Sequence, residues 1–228
     1  MLFRSSDKFL SWGNRSFRKN VQPSFVLTNL GRTVQYNSKA EELLVVTVPM
    51  RRYPHKSNAW PVGFSQAKDF LNSQIEFNKT LKPEISRSVK LRIPVKTDAH
   101  YKSGFVNAWT SNFENIKIDP STTSFWDELR KARLLVYTYN STGYLQSLSM
   151  NFPTIIFWDT ANFETNEYFE RALATLETVG IFFRNGIDAA NHINSIWPNI
   201  LYWWKSDEVQ LAVNYFCGEF ARTPRSEE

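Results

Sequence analysis

Asn140, Ser141, Thr142 and Gly143 set three polar side chains and a glycine between an apolar run, "RLLVYTY" (133–139), and an amphipathic one, "STGYLQSLSM" (141–150). A turn of this composition can hold an oxyanion. Ser141 or Thr142 can cap the helix that follows, and Gly143 lets the backbone come close to a ligand. The unpaired N–H groups and positive dipole end of that helix would then face the anion. Ordinary helices also begin with a Ser or Thr cap, and glycine in such a turn also relieves crowding. The choice between a packing joint and a site floor rests on what else shares that edge.

Four groups of residues follow apolar runs in the same way. After "EELLVVTV" (41–48) come Arg51, Arg52, Tyr53, His55 and Lys56. At "VKLRIPV" (89–95) stand Arg92, then Lys96, Thr97 and Asp98. Asn140 to Gly143 follow the third run, and Asp159, Thr160 and Asn162 follow "PTIIFW" (153–158). Cations and hydroxyls together suit a phosphate-bearing ligand, with Arg92 able to contact a phosphate or ribose oxygen in bidentate fashion.

The elements that must carry these groups alternate. Short apolar runs, typical of strands buried on both faces, are predicted at 41–48, 89–95, 133–139 and 153–159, with weaker ones at "NIKID" (115–119) and "GIFF" (180–183). Helical periodicity is predicted over 64–81, 124–132, 141–150, 164–179, 187–197 and 206–221, with Ser124 as an N-cap. Such alternation predicts an α/β fold, a Rossmann-like open parallel sheet with helices on both faces. In such sheets ligands bind beyond the carboxyl ends of the strands. The four polar groups are therefore expected on one rim. Residues 1–40 are irregular and punctuated by Gly, Pro and Asn, so they are read as a linker or hinge, with the Rossmann-like domain spanning 41–228.

The bulk properties are those of a packed protein: 228 residues, 42% hydrophobic and 15% aromatic. A single cysteine, Cys217, favours a reducing compartment, and charges break every apolar run of "MLFRSSDKFLSWG", which excludes a secretory signal there. The expectation is a cytoplasmic protein with no integral membrane segment. The net charge of +5 is scattered rather than striped, so no nucleic-acid partner is expected. Of the three histidines, His55, His100 and His192, none has metal-ligand spacing, and no metal site is predicted. Cys217, on the apolar side of a helix with Val213, Phe216 and Phe220, reads as core, as do Trp203 and Trp204.

"ARLLVYTYNSTGYLQSLSMNFPTIIFWD", "VGIFFRNGIDAANHINSIW" and "WWKSDEVQLAVNYFCGEFARTP" together resemble segments of a family of bacterial transferases of surface-antigen (O-antigen-type) carbohydrate biosynthesis, and "SDKFLSWG" resembles its hinge. The similarity spans most of 6–225 and is weakest around 54–120. That family resembles glycosyltransferases of the GT-B kind, which have two Rossmann-like halves and a cleft between them. The resemblance implies that this chain is the C-terminal, donor-binding half. It places Asn140, Ser141, Thr142 and Gly143 at a nucleotide-sugar donor, Ser141 and Thr142 on its diphosphate, with Arg92 and Asp159 nearby.

Arg51, Arg52 and His55 are expected on the phosphate-side rim, and His55 or Asp98 would be the candidates for a general base. The catalytic residue itself is unassigned. No cofactor is implied beyond the nucleotide sugar as substrate, and Mg²⁺ is compatible with the site but not required by it. A full family member is longer, so turnover is expected to need a separate N-terminal half or partner protein. The competing expectation is a non-catalytic remnant or protein-interaction module.

Overall fold

A computed structural model of the chain describes residues 8–13, 21–48, 66–93, 105–114, 116–119 and 121–223. Six strands form one parallel sheet: β3 (Glu42–Val46), β4 (Val89–Arg92), β5 (Lys117–Asp119), β6 (Ala132–Tyr137), β7 (Thr154–Phe157) and β8 (Phe182–Phe183), after a small pair, β1 (Phe9–Ser11) and β2 (Val21–Pro23). Their order across the sheet is β5-β4-β3-β6-β7-β8. Counted from β3 this is the doubly wound order 3-2-1-4-5-6, whose direction reverses between β3 and β6. The α/β expectation holds: the six strands of the large sheet coincide with the expected apolar runs, β6 starting one residue early, while β1 and β2 lie in the segment read as irregular.

Composition explains the arrangement. Leu43, Leu44, Val45 and Val46 are at most 3% exposed, which leaves no face of β3 for a polar side chain. Parallel pairing of such strands requires helical crossovers, and the sequence supplies them. Nine α-helices are described: α1 (Ala67–Thr80), α2 (Pro83–Ser86), α3 (Phe105–Asn112), α4 (Phe125–Leu129), α5 (Thr142–Ser149), α6 (Glu167–Thr178), α7 (Gly186–Ile196), α8 (Ile200–Trp204) and α9 (Asp207–Phe220). The side chains of Ser124, Ser141, Asn166, Asn185 and Asn199 cap α4, α5, α6, α7 and α8.

The helices form two packed groups. In one, α7 lies on α1. A Cβ on Gly186 would sit 2.4 Å from the Ser73 carbonyl oxygen, so glycine is what lets the two helices touch. Asn194 ties their ends, accepting from the Lys82 N–H at 2.8 Å and donating to the Thr80 carbonyl at 2.9 Å. In the other group α9 packs on α5 and α6, with Phe169 edge-on to Phe220. Cys217 is buried there, and burial pushes its thiol up to about 12. Trp203 and Trp204 are anchored by indole N–H bonds to the carbonyls of Val179 and Asn151, as a packing role requires.

Described residues among the first forty meet the rest of the chain through several contacts. Val26 is fully buried, and the Asn29 amide donates to the Gln146 carbonyl of α5 at 2.9 Å. Trp12 and Val26 bond to the backbone of Arg222, just beyond α9. Among the described residues no helix is long and apolar enough to cross a membrane.

Two ion pairs, one half-buried and one buried, brace the sheet towards opposite ends of its strands. Near the amino ends, Glu128 accepts from Lys90, Lys131 and Thr123. Burial alone would raise the Glu128 carboxyl, but these bonds outweigh it and hold it at about 2, against an ordinary 4.5. At the carboxyl ends, Arg92 pairs with Asp119, and both side chains are under 10% exposed. Arg92 also donates to the Thr123 carbonyl at 2.9 Å. Asp119 in turn accepts from the Ser121 N–H at 2.8 Å, in a turn where Ser121 adopts a left-handed φ of 60°. Arg92 therefore knots β4, β5 and the turn before α4 together.

Two outcomes follow for stability. Removing one partner strands the other charge in the interior, so Arg92→Ala lowers unfolding free energy in urea titration by about 3–5 kcal/mol. A carboxyl depressed in the folded state contributes stability that is present above the unfolded value near 4.5 and is lost as pH falls from there towards 2. Glu128→Gln therefore destabilises the protein at pH 7, and its stability-against-pH curve is flatter than wild type between pH 5 and 3.

Candidate functional site

The sheet brings its carboxyl ends into line. Val46 is in register with Arg92 on one side and Tyr137 on the other, Arg92 with Asp119, and Phe157 with Phe183. The ladder runs one residue further, with Thr47 N–H bonding to the Arg92 carbonyl and Thr138 N–H to the Val46 carbonyl. Arg92, Asn140–Gly143 and Asp159 therefore share one edge, as the alternating pattern required. Arg51, Arg52 and His55, with Asp98, lie outside the described residues.

Along this edge is a cavity of about 340 Å³. Its floor is formed where the strands end, at Thr138 after β6, at Phe157, Trp158 and Asp159 of β7 and beyond, and at Arg184 after β8. Its wall is one face of α1, with Asp69, Asn72, Ser73 and Glu76 in line, and Asn185 closes it at the start of α7. The wall is held rigidly. Gln74, fully buried, accepts from Thr47 Oγ1 at 2.6 Å and donates to the Phe70 carbonyl, pinning α1 to the end of β3. Asp159 accepts from the Ala161 N–H at 2.9 Å and so shapes the loop that carries Asn162.

Asp159 and Asn162, both from the expected rim group after β7, line the cavity; Asn140, Ser141, Thr142, Gly143 and Arg92 do not. The polar turn does something else. A Cβ on Gly143 would sit 2.0 Å from the Tyr137 hydroxyl oxygen, so the space beside this glycine is filled by a tyrosine ring of the preceding strand. Tyr137 is 3% exposed, its hydroxyl pKa raised by burial, and it packs among Phe125, Tyr139 and Tyr144. Ser141 Oγ accepts from the Gly143 N–H at 3.4 Å, a long cap bond, and Asn140 accepts from the Tyr144 hydroxyl at 3.0 Å. Thr142 alone of the four is exposed. The glycine is thus required by packing, while Thr142 is exposed.

The α1 wall escaped sequence reading. Asp69, Asn72, Ser73 and Glu76 follow the i, i+3, i+4, i+7 spacing of any solvated helix face, so their pattern carries no mark of a site. Arg184, also missed, forms ion pairs with Glu177 at 3.0 Å and Glu170 at 3.6 Å. Among the described residues, no group of three or more His, Cys, Asp or Glu side chains is placed to hold a metal ion.

Among solved structures, the chain is similar to the catalytic domain of cholesterol-alpha-glucosyltransferase from Helicobacter pylori, with 15% identity and a TM-score of 0.45 over 76% of this chain and 98% of that one. No curated protein matches it. A family model described as LIC12162 family transferase matches residues 1–228, and the chain belongs to that family of transferases.

Proposed function

We propose that this chain is the donor-binding part of a glycosyltransferase-like transferase, taking a nucleotide sugar in the cytoplasm for surface (O-antigen-type) carbohydrate biosynthesis and working with a second α/β half. One observation carries the reading: in a transferase-family chain with strand order 3-2-1-4-5-6, the cavity opens at the carboxyl ends of the strands and reaches Thr138, beside the point where the winding reverses. A doubly wound sheet offers its ligand site at that place, and the resemblance of the "NSTG" turn and of the two C-terminal segments to a carbohydrate transferase family supports a nucleotide-sugar ligand.

In this reading Asp159 and the α1 wall meet the donor inside the cavity, and Thr142, exposed at the start of α5, meets it from the neighbouring strand end. Asn140, Ser141 and Gly143 set the position of that helix start, and Arg92 acts through the fold as a positioning residue. The reading keeps Arg51, Arg52 and His55, which follow β3 in the sequence, as candidates for the phosphate side, the two arginines as its cations. Transition-state charge on a leaving diphosphate can be stabilised by such cations without a metal.

Binding to the folded state alone stabilises it by about 2.7 kcal/mol at a hundred times Kd, which for a chain of this size raises Tm by roughly 5–10 °C. UDP, GDP, CDP and CMP or their sugar conjugates, screened by thermal unfolding, are expected to include at least one that gives such a rise. Thr142→Ala and Asp159→Asn each reduce that rise by half or more while leaving the unliganded Tm within about 2 °C of wild type. Absence of any rise across the panel would refute the reading.

A further inference from the structure

The cavity's electrostatics point to which part of a ligand it receives. Its described lining holds three carboxylates, Asp69, Glu76 and Asp159, against one guanidinium, Arg184. That guanidinium is already committed to Glu177, Glu170 and the Thr160 hydroxyl. The described lining therefore presents net negative charge, which opposes a phosphate or carboxylate group. Its remaining groups are those that meet hydroxyls. The side chains of Asp69, Asn72, Ser73, Glu76 and Asn162 are engaged by no other described residue, leaving carboxylate and amide acceptors and amide and hydroxyl donors open towards the space. Phe70, Phe157 and Trp158 add apolar wall, and the indole N–H of Trp158, a residue 2% exposed, has no acceptor among the described residues. The volume, about 340 Å³, sits at the lower end of the roughly 300–1,000 Å³ of small-molecule sites.

We propose that this cavity holds the sugar end of the ligand rather than its phosphates, and that it selects a neutral or amine-bearing sugar over an acidic one. The inference rests on the donor-binding reading and deepens it. A hexose has vicinal hydroxyls that the carboxylates and amides can bridge and a C–H face for the aromatic wall. An ammonium on that sugar gains a charge-assisted bond to Asp69 or Glu76, whereas a carboxylate on it meets repulsion. The diphosphate then lies outside the cavity.

The test uses the full chain and three nucleotide-free probes, methyl glucoside, its 2-amino-2-deoxy analogue and methyl glucuronide, titrated by saturation-transfer NMR at neutral pH. The glucoside and the amino sugar are expected to bind, and the glucuronide at least tenfold more weakly than the amino sugar, a difference of about 1.4 kcal/mol. Asp69 and Glu76 are exposed helix positions, so the double variant Asp69→Asn, Glu76→Gln is expected to keep its unliganded Tm. In it the gap between amino sugar and glucuronide shrinks to under threefold. Equal binding of glucuronide and amino sugar to wild type, survival of the gap in the double variant, or failure of all three probes overturns the inference. A parallel nucleoside diphosphate titration separates the two readings. Protection by the diphosphate alongside any of those failures removes only the sugar assignment, and loss of diphosphate protection as well removes the donor-binding reading with it.

Discussion

The central constraint is that a parallel sheet covered on both faces has no room for chemistry on its strands. Leu43 to Val46 and Leu134 to Tyr137 are buried on each side, so polar groups within the sheet are taken up in pairs such as Arg92 with Asp119, and those left to line a cavity come where a strand has ended. Parallel direction then gathers those ends together. The register that pairs Val46 with both Arg92 and Tyr137 is the same register that lines up Thr47, Thr138 and the loop after β7 along one rim. Position of the site is thus a by-product of how the backbone hydrogen bonds are satisfied.

This also explains what the sequence could and could not disclose. Strands β3, β6 and β7 were legible because double burial leaves unbroken runs of apolar residues, and α5 and α6 because their ends and apolar spacing coincide. Some short elements were not legible. Helix α2 is four residues long and α8 five, too short for periodicity to rise above chance, and the pair β1–β2 is made of three-residue pieces with no alternation. Of the site, the rim was legible from topology, because it needs only the ends of strands. The cavity wall was not, because Asp69, Asn72, Ser73 and Glu76 look like any wet helix face until α7 is laid beside them.

The "NSTG" turn shows why residue type underdetermines role. Its glycine carries the signature of a backbone approached by a ligand, and something does approach it at 2.0 Å from the Cβ it lacks, but that something is the Tyr137 ring. Sequence gives the demand for space without naming the occupant. Arg92 makes the same point for charge. A guanidinium at a strand end suits an anion, and the anion it meets is Asp119 of the adjacent strand. Both residues build the rim and hold its shape, while the cavity beside it is lined by the α1 wall and the loop after β7.

The backbone bonds from Arg222 to Trp12 and to Val26 bring together segments from near the two ends of the described chain. Gly13 lies so close to the carboxyl end of α9 that a Cβ there would overlap the Glu219 carbonyl. Closing so long a loop carries a large entropy penalty, and contacts of such sequence separation slow folding. This seam should therefore zip up late, after the sheet has formed, and open first when the protein breathes.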